Sequence, residues 1–217
     1  MEAFVPQLDL EWSELLRIKL RFVDLKQPGL EGLLVQEVEV AKELVFKLGL
    51  APDPGVTKCL PWTDLNLEKA QGLVKRLNEL VPADAGYRFL VPSVAQRQIV
   101  EAAPQFCTLQ KPALGKAAPK TKDGYLPKTG RSTSKLVPVN VYSEELWHAG
   151  GGVGLFGFVG NVSELCIIEG AEDVDYRGGG LADRKRKSIL ASHSKITSSG
   201  FGDKASGLRL FVQLKVQ

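Results

Sequence analysis

The stretch His148-Ala-Gly-Gly-Gly-Val-Gly-Leu-Phe-Gly-Phe-Val-Gly-Asn-Val162 decides between two fold classes. Gly152, Gly154 and Gly157 form a literal G-x-G-x-x-G, and Gly160 follows three residues later. Such glycines cradle a dinucleotide only between a strand and a helix, where the pyrophosphate meets a helix N-terminus. The flanks here run the other way. Ser143-Glu-Glu-Leu-Trp-His148 reads as a helical turn, and Leu155 to Ile168 is rich in β-branched and aromatic residues. Glycine at every third position there would weaken a helix by about 1 kcal/mol per site relative to alanine. No Gly-Lys-Ser/Thr follows, which excludes a nucleotide P-loop. The stretch reads as a glycine turn feeding a strand. The fold class expected is α+β, an antiparallel or mixed sheet with helices on one face.

Upstream, Leu16-Arg-Ile-Lys-Leu-Arg-Phe22 alternates apolar and basic residues, the period of a half-buried strand. From Glu31 to Leu48, Leu34, Val38, Ala41, Val45 and Leu48 recur at helical steps, predicting an amphipathic helix closed by Gly49. Asn66 is placed to cap a helix through about Leu80. Ser93-Val-Ala-Gln96 has the capping-box pattern and starts a shorter helix that ends before Pro104. A helix-turn-helix reading of this pair is disfavoured. The Pro82–Pro92 connection is long, with an extended Tyr87-Arg-Phe-Leu-Val91, and only Arg97 is suited to reading bases. Downstream, Leu208 to Val216 alternates cleanly, with Leu208, Leu210, Val212, Leu214 and Val216 inward.

These signals divide the chain into an N-terminal α+β region (1–109), a connection (110–135) and a glycine-rich, β-rich region (136–217). The connection is rich in Pro, Gly, Ser and Thr and carries seven Lys+Arg against one acid, so a flexible basic linker or loop is expected. Leu136-Val-Pro-Val-Asn-Val-Tyr142 reads as a strand near a sheet edge, because Pro138 interrupts it.

The chain has 217 residues, 44% of them hydrophobic and 24% charged, the composition of a globular protein with an ordinary core. No window approaches eighteen consecutive apolar residues, and Met1-Glu-Ala-Phe-Val-Pro6 has neither a basic flank nor an apolar run. Neither a membrane partner nor a secretory signal is expected. Cys59, Cys107 and Cys166 are odd in number and widely spaced, which argues against a disulfide framework or a zinc knuckle. Reduced, buried thiols in a cytoplasmic protein are expected. The net charge of +3 is unevenly spread: residues 1–110 sum to −3 and residues 111–217 to +6, which points to a polyanionic partner for the C-terminal half.

A second glycine cluster, Ser198-Ser-Gly-Phe-Gly-Asp-Lys-Ala-Ser-Gly-Leu-Arg-Leu-Phe211, stands ahead of the last strand. Between the clusters lie four consecutive cations, Arg184, Lys185, Arg186 and Lys187. Exposed backbone amides, short hydroxyls and a cation run suit phosphate contact. Gly157-Phe-Val-Gly-Asn-Val162, a gap, then Gly200-Phe-Gly-Asp-Lys-Ala-Ser-Gly207 before a terminal strand resembles the C-terminal half of the RAMP superfamily of CRISPR RNA-binding proteins. The resemblance implies a ferredoxin-like C-terminal half whose glycine-rich loop packs against RNA at Gly200, Gly202, Gly207 and Lys204, with Arg209 beside them. The chain departs from that pattern at Gly207-Leu-Arg209, where a second glycine pair is usual, and its N-terminal half shows no clear β-α-β-β order.

Metal-free RNA cleavage needs a general base near the 2′-hydroxyl. His193, after the cation run and between Ser192 and Ser194, is the candidate, and His148 abuts the first glycine cluster. Glu172, Asp173 and Asp175 read as a solvated loop, so no metal or other cofactor is expected. The function expected is an RNA- or other nucleic-acid-binding subunit of a larger ribonucleoprotein, such as a CRISPR effector complex, with protein subunits as further partners. The alternatives are a structural assembly protein, such as a phage particle component, and a metal-independent endoribonuclease.

Overall fold

The computed structural model describes residues 20–102, 136, 139, 155, 162–177, 194–196 and 206–215. The strands are β1 (Phe22–Asp24), β2 (Leu33–Gln36), β3 (Tyr87–Leu90), β4 (Ser163–Ile167), β5 (Val174–Arg177), β6 (Ser194–Ile196), β7 (Ser206–Gly207) and β8 (Phe211–Leu214). The helices among the described residues are α1 (Lys42–Lys47), α2 (Leu67–Leu80) and α3 (Val94–Ala102), with a short 3-10 turn at Gly55–Thr57. The architecture is α+β with two four-stranded sheets.

The first sheet has the order β1-β2-β8-β3, antiparallel throughout. Its inner strand β8 comes from the C-terminal region and lies between two N-terminal strands, so residues 1–109 and 136–217 share one sheet. Phe22, Leu34, Phe89 and Val212 face a core shared with Leu44 of α1 and with Leu73 and Leu77 of α2. Val23, Val35 and Phe211 face the other side, where Val100 and Ile99 of α3 pack. Helices α1 and α2 thus share one face, while α3 covers the opposite one. The second sheet has the order β6-β5-β4-β7, with β4 and β7 parallel and the other pairs antiparallel. Residues 178–193 and 197–205, which join these strands in sequence, lie outside the described residues.

Local sequence chemistry accounts for the element ends. The Asn66 side chain accepts the Lys69 N–H at 2.9 Å and caps α2 as expected. Ser93 and Gln96 close their reciprocal capping box, Gln96 N–H to Ser93 Oγ at 3.2 Å and Ser93 N–H to Gln96 Oε1 at 2.9 Å. Helix α1 ends in a Schellman pattern, with Gly49 at φ +72°, Leu50 N–H on the Val45 carbonyl and Gly49 N–H on that of Phe46.

The helix expected over Glu31–Leu48 is corrected: only Lys42–Lys47 is helical, and Leu33–Gln36 is strand β2. Gly29 and Gly32 hold φ of +85° and +68°, which breaks any helix there. All four β2 residues are buried, so the run lacks the polar alternation that marks a one-sided strand. Its apolar spacing matches a helix by coincidence. Strand β3 forms an edge, and its outward backbone groups are covered. Asn78 Nδ2 donates to the Phe89 carbonyl at 2.9 Å, and the Phe89 N–H donates to Asn78 Oδ1 at 2.7 Å. One amide side chain stands in for a neighbouring strand.

Candidate functional site

Charged residues of α3, β4, β5 and the approach to β8 converge between the sheets. Strand register puts Glu164 opposite Arg177, and two-residue periodicity puts Asp175 on the same face. Helical spacing puts Arg97 and Glu101 one turn apart on α3. The result is a ladder of alternating sign. Arg209 Nε donates to Glu164 Oε1 at 2.8 Å, and Arg97 Nη1 donates to Glu164 Oε2. Arg97 Nε reaches Glu101 Oε1 at 3.3 Å. Arg177 donates through Nη2 and Nε to the two Glu101 oxygens at 2.7 and 3.2 Å, and through Nη1 to Asp175 Oδ2 at 3.3 Å. Arg209 Nη1 also donates to the carbonyls of Gln36 and Glu37, at 2.8 and 2.7 Å.

Three guanidinium groups therefore meet three carboxylates in the interior. The side chains of Arg209, Glu164 and Arg97 are at most 1% exposed, whereas that of Glu101 is 25% exposed. Isolated buried charges of this kind are tolerated only when paired and hydrogen-bonded, and the ladder supplies both. Burial works to lower the Arg177 pKa, but the hydrogen bond and charge of Glu101, aided by Asp175, hold it above the ordinary value. The Cys166 thiol beside the ladder is pushed up to about 12, chiefly by burial, with Arg97 opposing and Glu164 reinforcing the shift. Cys166 is an inert core thiol, while Cys59 is half-buried.

A neighbouring knot ties the loop before α2 to the second sheet. Tyr176 Oη donates to the Leu65 carbonyl at 2.7 Å, and Ser206 Oγ accepts the Leu65 N–H at 3.1 Å. Gly207 lies in this contact. A Cβ there would stand 2.5 Å from Val162 Cγ2 and 3.4 Å from the Trp62 carbonyl oxygen. Only glycine fits.

Two sequence-derived contact residues are therefore corrected. Gly207 makes a close approach to Val162 inside the protein, and the fully buried Arg209 spends its donors on Glu164 and two carbonyls. Neither is offered to a polyanion. Arg97 is likewise interior, and β3 separates α2 from α3, so the pair is no helix-turn-helix. Arg184, Lys185, Arg186, Lys187, Gly200, Gly202, Lys204, His193 and His148 lie outside the described residues. The same holds for residues 110–135 and most of 136–161. Among the described residues no group of three His, Cys, Asp or Glu could hold a metal ion, and no helix is long and apolar enough to cross a membrane.

Sequence reasoning missed Glu101, Glu164 and Asp175 as partners of Arg97, Arg177 and Arg209. Its one available signal was charge inside apolar runs, Glu164 in Ser-Glu-Leu-Cys-Ile167 and Arg209 in Gly-Leu-Arg-Leu-Phe211. Alternation assigns such residues to solvent unless both faces of the strand are covered.

No protein-family model and no curated protein matches the chain. Solved structures do resemble it. Treponema denticola variable protein 1 superposes with a TM-score of 0.62 at 14% identity, covering 98% of this chain and 99% of that one. CarF gives 0.58 at 18% identity, covering 85% of this chain and 87% of its own. PvdO from Pseudomonas aeruginosa gives 0.52 at 15%, covering 84% and 80%. At these identities the likeness establishes a shared fold and nothing about activity.

Proposed function

We propose that the protein is a nucleic-acid-binding subunit, directed at single-stranded RNA, whose folded framework carries basic segments to the phosphate backbone. The observation that carries this reading is the partition of charge. Residues 1–110 sum to −3 and residues 111–217 to +6, and the three interior arginines are matched by three carboxylates. Seven Lys+Arg stand in 110–135 and four in Arg184–Lys187. Phosphate contact by such clusters supplies most of the sequence-independent affinity for nucleic acid. Gly200, Gly202 and Lys204 complete the proposed contact set, without Gly207 and Arg209.

The test replaces Arg184, Lys185, Arg186 and Lys187 together with alanine. Binding to single-stranded RNA is expected to weaken, and the slope of log K against log salt to flatten by up to about 3, from about 0.7 per phosphate contact. Folding is expected to change little if these side chains are exposed. A variant that binds as the parent does at every salt concentration refutes the reading and leaves the assembly alternative. Loss of RNA cleavage with retained binding in His193→Ala would favour the endoribonuclease.

A further inference from the structure

Three large apolar side chains among the described residues stand in water, and all three belong to one stretch of chain. Phe46 and Leu50 flank the C-terminal cap of α1 at 39% and 42% exposure, and Val56, in the 3-10 turn Gly55–Thr57, is fully exposed. The turn holds Val56 out rigidly. Asp53 Oδ1 accepts the Gly55 N–H at 2.8 Å. Thr57 donates twice to the Pro54 carbonyl, through its N–H at 3.0 Å and its Oγ1 at 2.8 Å. Pro52 and Pro54 fix φ on either side of Asp53. The base of the loop is tied as well, with the Glu43 N–H on the Lys58 carbonyl and the Lys42 N–H on that of Leu60, each at 3.0 Å. A backbone already ordered in water loses little freedom when its side chain is buried against a partner. The charges beside the tip have opposite sign: Asp53 precedes Val56, Lys58 follows it, and both are exposed. Neither side chain is engaged in an ion pair.

We propose that the Asp53–Lys58 turn is a contact between two copies of this chain, closed about a two-fold axis with the Val56 side chains at its centre. One acid and one base balance at the tip, so it offers no net attraction to a polyanion or an anionic lipid surface. It is instead complementary to itself. An axis through Val56 sets Asp53 of each copy against Lys58 of the other, the reciprocal pairing that a two-fold contact requires. Three side chains, two of them less than half exposed, cover far less than the roughly 800 Å² per partner of a standard interface. The dimer is therefore a weak one, with a dissociation constant on the order of 100 μM. The contact is independent of the polyanion reading.

Sedimentation equilibrium of the full chain, from about 10 μM to about 1 mM, should show monomer passing to dimer and to nothing larger, because a two-fold contact closes on itself. Val56→Asp should weaken the dimer about tenfold or more, since two apolar side chains lose their burial and two like charges meet. Lys58→Glu sets an acid against Asp53 across the axis and should also weaken it, although no hydrogen bond of the turn uses the Lys58 side chain. Both positions are exposed, so folding should be that of the parent. A mixing experiment separates the paired contact from general apolar association. The Lys58→Glu chain and an Asp53→Lys chain should each stay monomeric alone and form a heterodimer together, because only the mixture sets opposite charges face to face at both ends. A parent that is monomeric at the highest concentration, or one whose association survives Val56→Asp unchanged, overturns the contact. If the mixed chains do not associate, the two-fold pairing of Asp53 with Lys58 is wrong.

Discussion

Glu164→Gln removes one charge from the centre of the ladder at nearly constant volume. In the parent, Glu164 receives Arg97 on one oxygen and Arg209 on the other, the latter at 2.8 Å, with all three side chains at most 1% exposed. The substitution leaves two buried guanidinium groups short of the carboxylate they share, and the three-to-three balance becomes three to two. Breaking a buried pair by removing one partner typically costs about 3–5 kcal/mol. Against a total stability of about 5–15 kcal/mol for a domain, that is a large share. Near 2–4 °C per kcal/mol at this chain length, the expected drop in Tm is about 10 °C. Urea unfolding followed by far-ultraviolet circular dichroism measures the free-energy loss directly, and the denaturant slope should stay that of the parent. Arg209→Met should be destabilising in the same range, and Glu164→Gln/Arg209→Met should cost less than the sum of the two, because the pair is coupled. A loss below 1 kcal/mol for Glu164→Gln, or strict additivity in the double variant, would refute the view that the ladder is a coupled interior network.

Gly207→Ala should cost about 1–3 kcal/mol by overpacking against Val162, and Val162→Ala in the same chain should recover most of it; urea midpoints of the two variants decide this. Asn78→Ala should cost about 1–3 kcal/mol by baring the Phe89 N–H and C=O on the edge of β3, and analytical ultracentrifugation should then detect self-association through that edge. The pH dependence follows from Cys166, whose thiol ionises near 9 when unfolded and about 12 when folded. The folded state holds the proton longer, so this contribution is complete below pH 9 and lost as pH rises from 9 toward 12, by up to about 4 kcal/mol. Cys166→Ala should flatten that alkaline limb, as read from urea midpoints at pH 8 and 10.5.

Elements whose ends carry their own chemistry were legible in the sequence. Asn66, the Ser93–Gln96 box and Gly49 each act within a few residues, and each sits in the structure as its chemistry predicts. The alternation of Leu208, Leu210, Val212 and Leu214 likewise marks one core face. The sequence pattern failed where burial is two-sided. Leu33–Gln36 reads as helix because all four residues are buried and no exposed polar residue marks a strand's alternation, and the interior position of Arg209 and Arg97 depends on Glu164, 45 and 67 residues away in the chain. Gly207 was legible as a point of close approach. What approaches it is Val162 rather than a ligand, and that depends on the parallel pairing of β4 with β7, which no local signal encodes.

The salt dependence of binding tests the account's central claim most directly. Equilibrium affinity of the full-length chain for a fluorescent single-stranded RNA, measured between 50 and 200 mM salt, should fall log-linearly. If the four cations of Arg184–Lys187 meet phosphate the slope should be about 3 at 0.7 per contact, and if the seven of 110–135 do so as well it should approach about 8. A flat profile, or no measurable binding at 50 mM salt, contradicts the proposal that the basic stretches 110–135 and Arg184–Lys187 hold a polyanion.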